Sequence, residues 1–426
     1  MNRKLLIITG LVFLFVVVAL VWYFFYAKPV IAPTLSQTND PLPKNQLPPR
    51  YQFIGGDLGD EQTSTTEVTQ KEDDPLIRIW DKPTTGQTFI TDQILREETA
   101  TTTQGTSTVV EVKKMVRATT TVLLFVDRGT GYIYGYSPED NSVFQITNTV
   151  VPGVYDAYIF NDGKRVIMRY ANTENEVIVG MIATIPSFTK NGAASSLTNI
   201  EYLNSEVSSV AVDELNSKAS YVVKTSSGSS VYTVEDGGPV PVASSPFGEW
   251  DLSYGGQSLY ATTKASSFAM GVTTRLPNFN IVIGERPGLN SKPSSSFILS
   301  SSWRSGSIET SLVGNNGYQN LSLKTLAFKC GWGTGDFLLC AVPKLLPKGG
   351  RDLPDAWFQG LVSFEDDLIY VDTTTLEAFP FFSFEDKYGA FDVTSLVISD
   401  NNTLISFINK KNGELWILKT KLLTQN

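Results

Sequence analysis

The residue types that perform most acid–base and metal chemistry are sparse in this chain. It contains no histidine, which removes the commonest general base, the commonest metal ligand and every histidine-dependent triad. Two acidic clusters remain, Glu365-Asp366-Asp367 and Glu385-Asp386, and carboxylate groups can bind calcium or cleave glycosidic bonds. Neither cluster has calcium-loop spacing, and acidic pairs at strand ends are ordinary solvated turns. We therefore expect no catalytic, metal-binding or cofactor-binding residue.

The chain has two cysteines, and both belong to one predicted hairpin. Cys330 and Cys340 lie symmetrically about Gly335, which places them opposite one another on adjacent antiparallel strands. In an oxidising compartment this arrangement predicts a disulfide; reduced buried thiols and a redox-active pair are the alternatives. A zinc site is not expected, because two thiols without histidine leave half of its coordination unfilled.

Short strands joined by tight turns make up most of the chain. Tyr155–Phe160 alternates in polarity, turns at Asn161-Asp162-Gly163 and returns as Lys164–Tyr170, which is a strong hairpin signal. A third and often a fourth strand follow each hairpin. The same unit recurs with drift, and its other copies are Val207–Lys224, Glu249–Thr262 and Ser395–Ile408.

The spacing of these units predicts an all-β domain over residues 75–426. Four-stranded repeats of about 40 to 50 residues are typical of β-propeller blades, and we expect about seven of them, with six or eight as alternatives. A pair of β-sandwiches is the competing fold. The Thr-rich stretch Thr99–Thr108 is expected to be a flexible loop in the first blade.

These units resemble the β-propeller repeats of the WD-type and TolB-type classes, with Asp162-Gly163-Lys164 as the full match to their turn. The segments Val151–Tyr155 and Trp357–Val362 also make the chain similar to uncharacterised bacterial proteins that combine one membrane anchor, a linker and a propeller. The resemblance implies an architecture and no activity. It also implies that Leu76–Asp81 closes the ring by pairing with Glu414–Thr420, the third strand of the last blade.

An irregular segment, Pro343–Leu361, breaks the strand pattern and carries an adjacent Trp-Phe pair. Long loops inside compact domains are usually functional or disordered, and the aromatic pair argues against disorder. In a propeller this loop shares a face with Phe382–Phe391, so we predict an interaction surface of aromatic anchors ringed by charge. The alternative is that the aromatic pair only plugs the end of the ring. The predicted surface comprises Arg351, Asp352, Asp355, Trp357, Phe358, Glu385, Asp386, Lys387 and Tyr388.

The N-terminus carries the uncharged run Leu5–Ala27 directly after Arg3 and Lys4. At about 1.5 Å per residue, such a helix crosses a bilayer core of about 30 Å. A cleaved signal peptide is the alternative, but the run is long and no small-residue cleavage site follows it. We predict a tail and anchor over 1–27, a Pro/Thr-rich linker over 28–74, a cytoplasmic N-terminus and an extracytoplasmic domain.

The net charge of −9 argues against nucleic acid as a partner, which requires a basic surface. We expect a single-pass protein of the cell membrane whose propeller is a binding or scaffolding module for a protein or envelope component. The alternatives are a hydrolase or lyase that acts on glycans or peptides without histidine, and a structural envelope component.

Overall fold

The computed structural model describes residues 74–104, 108–172, 177–213, 218–235, 238–346 and 353–420. They belong to one compact unit, Thr63–Asn426. The predicted tail and anchor lie outside the described residues, as does the predicted linker apart from Asp74. Of the helices in the described part of the chain, none has the length and apolar character that a membrane crossing requires.

Antiparallel strands dominate the described residues, because β-branched and aromatic side chains alternate with polar ones along short segments. The helices among them are the 3-10 helices η1 (Ala327–Lys329) and η2 (Asp386–Tyr388) and the short helix α1 (Asp355–Phe358). The strands, in chain order, are β1 (Leu76–Trp80), β2 (Thr84–Gln104), β3 (Thr108–Asp127), β4 (Ile133–Ser137), β5 (Ser142–Gln145), β6 (Val154–Phe160), β7 (Arg165–Asn172), β8 (Val177–Thr184), β9 (Thr198–Val212), β10 (Ala219–Thr225), β11 (Gly228–Glu235), β12 (Gly238–Ser245), β13 (Trp250–Gly255), β14 (Ser258–Thr263), β15 (Met270–Arg275), β16 (Asn280–Pro287), β17 (Asn290–Pro293), β18 (Ile298–Arg304), β19 (Ser307–Gly314), β20 (Gly317–Asn320), β21 (Cys330–Trp332), β22 (Leu338–Pro343), β23 (Asp366–Val371), β24 (Ala378–Phe382), β25 (Val393–Ile398), β26 (Leu404–Asn409) and β27 (Leu415–Lys419).

The strands pair with their sequence neighbours in successive meanders. Four sheets have four consecutive strands each: β2–β5, β13–β16, β17–β20 and β21–β24. A longer sheet runs from β6 to β12, and within it β9 changes partner: its first part, Thr198–Glu206, pairs with β8, and its second part, Val207–Val212, pairs with β10. The predicted hairpins at Tyr155–Tyr170, Glu249–Thr262 and Ser395–Ile408 are confirmed.

The first strand of the domain closes the last sheet. β1 pairs antiparallel with β27, in a sheet ordered β1-β27-β26-β25, and Leu76 lies opposite Leu418. This is the ring closure that the resemblance to propellers implies, with β25, β26 and β27 as the other strands. The pairing joins residues that lie far apart in the chain, so the two ends of the domain depend on each other.

The sheets are arranged in a closed circuit through one edge strand of each sheet, which we call its first strand. In the long sheet, β9 also takes part in this circuit. β2 contacts β6, β6 contacts β9, and the series continues through β13, β17, η1 and β21 to β25, which contacts β2 again. A ring of sheets whose first strands surround a common axis is a β-propeller. Apolar side chains fill the spaces between neighbouring sheets, for example Phe384 and Phe391 between β21–β24 and the closing sheet. The propeller fold is therefore shown by the chain's own strand pairing.

Side chains of other strands bind free backbone groups of β9 and β13, near the centre of the ring. Arg169, on β7, donates hydrogen bonds to the carbonyl oxygens of Val207 and Ser208 on β9, at 3.1 and 2.7 Å. The Ser209 hydroxyl in turn accepts the backbone N–H of Leu252 on β13 at 2.9 Å. Unpaired backbone groups at a sheet edge destabilise a buried position, so these bonds stabilise the ring at its centre.

The β2–β3 hairpin is longer than the sequence predicts. Thr84–Gln104 pairs with Thr108–Asp127 in a nearly continuous antiparallel register, whereas β4 pairs only with Leu123–Val126. The hairpin thus continues beyond its sheet as a two-stranded ribbon. The expected flexible loop at Thr99–Thr108 is wrong for the described residues of that stretch, because β-branched threonines favour extended backbone and find cross-strand partners here.

Candidate interaction face

The connection between β22 and β23 contains the irregular segment that the sequence singles out. It is described at both ends, and α1 lies in its second half. The six residues 347–352, which include the predicted surface residues Arg351 and Asp352, lie outside the described residues. α1 precedes β23 and η2 precedes β25, so the two predicted parts of the surface lie at the same end of the sheets.

Trp357, in α1, fixes this connection to the body of the propeller. Its side chain is only 3% exposed, and its Nε1 donates to both carboxylate oxygens of Asp392, at 3.1 and 2.9 Å. The Lys410 ammonium lies 4.2 Å from the centre of the indole ring and donates to the Trp357 carbonyl oxygen at 2.6 Å. Trp357 is therefore a packing residue at this end of the ring, and it holds the backbone of α1 in place.

Asp355 fixes the other side of α1. Its Oδ2 accepts the backbone N–H and the hydroxyl of Ser267, at 2.6 and 2.8 Å, in the connection between β14 and β15. Partial burial raises the pKa of Asp355, but these two donors act in the opposite direction and the net pKa is below its ordinary value. The carboxylate therefore stays ionised, and α1 bridges the sheets β13–β16 and β21–β24.

Apolar side chains surround this fixed backbone and remain exposed. Phe268, next to Ser267, is 80% exposed, Phe358 is 49% exposed and Leu361 is 74% exposed. The Leu361 backbone N–H donates to the Ala356 carbonyl oxygen at 2.8 Å, which holds it close to α1. We call Phe268, Phe358 and Leu361 the apolar patch. Sequence reasoning found Phe358 but missed Phe268 and Leu361, because neither belongs to an aromatic pair.

The charged part of the predicted surface lies around η2. The Lys387 ammonium lies 3.7 Å from Asp74 Oδ2 and 3.5 Å from Glu385 Oε2. The Tyr388 hydroxyl also donates to Asp74, and burial first, then this hydrogen bond, raises the pKa of Tyr388. The polar contacts of Glu385, Lys387 and Tyr388 thus connect to Asp74, two residues before β1, rather than to α1. Asp386 is described as the first residue of η2.

A cluster of charged side chains is buried beneath α1. Lys329 Nζ lies 2.8 Å from Asp366 Oδ2 and 2.6 Å from Asp392 Oδ1, and all three side chains are fully buried. Asp366 belongs to the acidic run Glu365-Asp366-Asp367, but its carboxylate faces the core. Sequence analysis did not identify Lys329 or Asp392. In the sequence, each is a single charged residue among apolar residues of the core.

The disulfide Cys330–Cys340 is present, as the sequence predicts. The two cysteines lie directly opposite each other on β21 and β22, and both are fully buried. The bond lies one residue after Lys329 and joins β21 to β22, the strand that pairs with β23 and Asp366. Among the described residues no group of three or more acidic or cysteine side chains could hold a metal ion.

No family model and no curated protein matches this chain. Solved propeller structures are similar to this chain at low identity. The β-propeller domain of the trilobed protease from Pyrococcus furiosus is 10% identical over 70% of this chain and 91% of that one, with a TM-score of 0.47. The Cps50 (Swd1) β-propeller domain of Myceliophteria thermophila is 9% identical over 70% and 93%, with a TM-score of 0.43.

An uncharacterized protein from Listeria monocytogenes EGD-e is also similar, at 12% identity over 70% of this chain and 90% of that one, with a TM-score of 0.43. Likeness at this level carries nothing about activity or partner. The chain is thus an all-β propeller by its own strand pairing, and it carries a structured insertion with exposed apolar side chains at one end of the ring.

Proposed function

We propose that this chain is a membrane-tethered, extracytoplasmic propeller that binds a protein or another envelope component through the apolar patch. The observation that carries this proposal is the exposure of Phe268, Phe358 and Leu361 on backbone that buried contacts hold in place. Exposed apolar side chains grouped on one surface mark interaction sites in soluble domains.

A fixed backbone makes this patch suited to binding. α1 is held on one side by Trp357 and on the other by Asp355, so little conformational entropy is lost when a partner contacts it. Such preorganisation increases affinity without adding contact area. The charged side chains of Glu385 and Lys387, at the same end of the sheets, would then form part of a polar rim.

We also infer that the propeller has seven blades. The long sheet β6–β12 divides at β9, because the two parts of this strand pair with different neighbours. Counting β9 as the last strand of one blade and the first strand of the next gives two four-stranded blades in this sheet. The other five sheets have four strands each.

The proposed mechanism is presentation. A helix over Leu5–Ala27 would hold the chain in the membrane, and the Pro-rich linker over 28–74 would keep the propeller near the bilayer. A tether of this kind raises the effective concentration of the binding face toward any partner in the same envelope. The buried disulfide is consistent with an oxidising exterior.

The test is crosslinking in intact cells, with the full-length chain carrying Phe268→Ser and Phe358→Ser. Both positions are exposed, so the substitutions should leave folding intact. The matched control is Ile281→Ser, which removes an apolar side chain on β16 whose exposure, 67%, lies between those of Phe268 and Phe358. The crosslinked partner is identified and purified, and its affinity is then measured against all three chains.

A partner that binds wild type and the Ile281→Ser control equally, and the patch variant at least tenfold more weakly, would support the proposal. Equal binding by all three chains would move the interface away from the apolar patch. If no partner is captured, the binding proposal is contradicted, and glycan and peptide turnover by the purified chain becomes the next assay.

A further inference from the structure

A cavity of about 230 Å³ opens between β9–β12 and β13–β16. Four of its lining residues lie in connections: Lys218 precedes β10, Gln257 joins β13 to β14, and Leu276 and Pro277 follow β15. These connections lie at the end of the sheets opposite to α1, since Asp355 reaches the other end of β14 through Ser267. The cavity is thus separate from the apolar patch.

Two cationic side chains line this cavity. The Lys218 ammonium lies 5.7 Å from the centre of the Tyr254 ring, and Arg275 Nη2 donates to the Ser258 hydroxyl at 2.8 Å. A guanidinium has five N–H donors, and this bond uses one of them. Among the residues that the structure describes, none that lines the cavity is acidic. In a chain of net charge −9, a cavity whose described lining has two cations and no carboxylate favours an anion.

Asp213 is an acidic residue beside the cavity, and its Oδ1 accepts the Lys218 backbone N–H at 3.0 Å. This bond fixes the start of β10 and thereby the position of Lys218. Burial first, and the charge of Asp213 second, raise the pKa of Tyr254. The hydrogen bonds from Ser220 and Thr233 lower it, and the net pKa is above its ordinary value. The Tyr254 hydroxyl therefore stays protonated at neutral pH.

Hydroxyl groups form one wall of the cavity in a connected set. The Ser220 hydroxyl lies 2.6 Å from the Tyr254 hydroxyl and 2.6 Å from Thr233 Oγ1. Because Ser220 is held between them, the hydroxyls of Tyr254 and Thr233 have fixed positions in the lining. Fixed hydroxyls can orient a polar ligand without the loss of side-chain entropy.

We infer that this cavity binds a small organic carboxylate that carries an apolar group. Val242, Leu259 and Leu276 supply an apolar wall, which a fully hydrated inorganic anion would leave unused. The planar guanidinium of Arg275 matches the two oxygens of a carboxylate. The ligand class therefore follows from a cationic side, a hydroxyl side and an apolar side in one small cavity.

The experiment is calorimetric titration of the full-length chain in lipid nanodiscs with benzoate, and separately with inorganic phosphate. The test variants are Lys218→Gln and Arg275→Gln. Their matched controls are Lys164→Gln, in a turn at the same end of the ring, and Arg304→Gln. Both control side chains are 67% exposed, so their removal should not disturb the fold. Melting temperatures of all variants show whether the fold is retained.

We expect benzoate to bind at one site per chain, and each test variant to bind it at least about tenfold more weakly, because a hydrogen bond to a charged group is lost. The controls should bind as wild type does. If a test variant fails to fold, Gln257→Trp, at an exposed turn position, provides the second test by covering the cavity. Absent binding, or equal binding by wild type and the test variants, would overturn the inference. Phosphate binding as tight as benzoate binding would overturn the carboxylate assignment.

Discussion

Lys329 and Asp392 form an ion pair, 2.6 Å long, in which neither side chain has solvent access. Lys329 ends η1 before β21, and Asp392 precedes β25, so the pair joins the starts of two adjacent first strands. Asp366 is a second carboxylate on the same ammonium. The site therefore holds one positive and two negative charges, and a buried group of this kind is costly unless hydrogen bonds satisfy it.

Lys329→Met should destabilise the propeller by about 3–5 kcal/mol, because it leaves buried carboxylates without their counter-ion. Urea unfolding followed by tryptophan fluorescence measures the change. Lys411→Met, at an exposed position in the β26–β27 connection, is the control and should change the unfolding free energy by less than about 0.5 kcal/mol. Equal effects of the two substitutions would contradict a structural role for Lys329.

The two carboxylates differ in their hydrogen bonding. Asp392 accepts from Lys329, the Trp357 indole, the Ser363 hydroxyl and the Phe364 backbone N–H. Asp366 Oδ2 accepts from Lys329 and from the Val393 backbone N–H, and its Oδ1 has no partner. One ammonium cannot neutralise both carboxylates, and Asp366 is the one with fewer hydrogen-bond donors. Burial accordingly raises the pKa of Asp366 to about 6, against the attraction of Lys329.

This pKa predicts a pH dependence of stability with a definite sign. The folded chain binds more protons at Asp366 than the unfolded chain does between pH 3.8, the ordinary value, and about 6. The free energy of unfolding that Asp366 contributes is therefore complete below its ordinary pKa. It is lost as the pH rises through the pKa of the folded state, and the loss is about 3 kcal/mol in all.

Asp366→Asn isolates this effect, because asparagine does not titrate. The free energy of unfolding is measured from pH 4 to pH 7.5 for wild type and variant, and the difference between them is plotted. Other carboxylates cancel in the difference, and wild type should lose stability relative to the variant as the pH rises. A difference that does not change with pH would contradict the raised pKa.

Trp357 and Phe358 are adjacent but should respond differently to truncation. Trp357→Ala removes a buried ring and its bond to Asp392, so a loss of about 3–5 kcal/mol is expected. Phe358→Ala trims a half-exposed ring that rests on Phe328 at 5.1 Å, and about 1 kcal/mol is expected. Thermal unfolding of both variants checks this order, and the reverse order would contradict the burial of Trp357.

Features set by local pattern and strand register were predictable from the sequence. The turn at Asn161-Asp162-Gly163 has positive φ at all three residues, which these residue types tolerate best. The disulfide followed from the symmetry of Cys330 and Cys340 about one turn. The pairing of β1 with β27 followed from the resemblance to propellers, and it is confirmed.

Features that depend on distant contacts were not predictable. Trp357 was expected to be an interface anchor or a plug, and its burial follows from Asp392, 35 residues away. Phe268 joins the apolar patch because Ser267 binds Asp355, across 88 residues. The buried position of Lys329 depends on carboxylates from two other elements. No periodicity in one segment encodes such contacts.

The ring closure predicts that the two ends of the domain unfold together. Deleting residues 75–85 removes β1 and the first two residues of β2. Leu76 and Ile77 of β1 pair with Leu418 and Ile417 and are buried. β27 then becomes an uncovered edge next to an apolar surface, so the closing sheet should lose stability.

Hydrogen exchange of the full-length chain tests this effect at the level of single strands. The amides of β27 should exchange faster after the deletion, while those of β14, on the far side of the ring, should keep their protection. Deletion of residues 58–68 shortens the chain by the same length without removing β1, and it is the control. Unchanged thermal unfolding of the 75–85 deletion would show that β1 does not stabilise the ring. Equal loss of protection in β14 and β27 would instead show that the ring unfolds as a single cooperative unit.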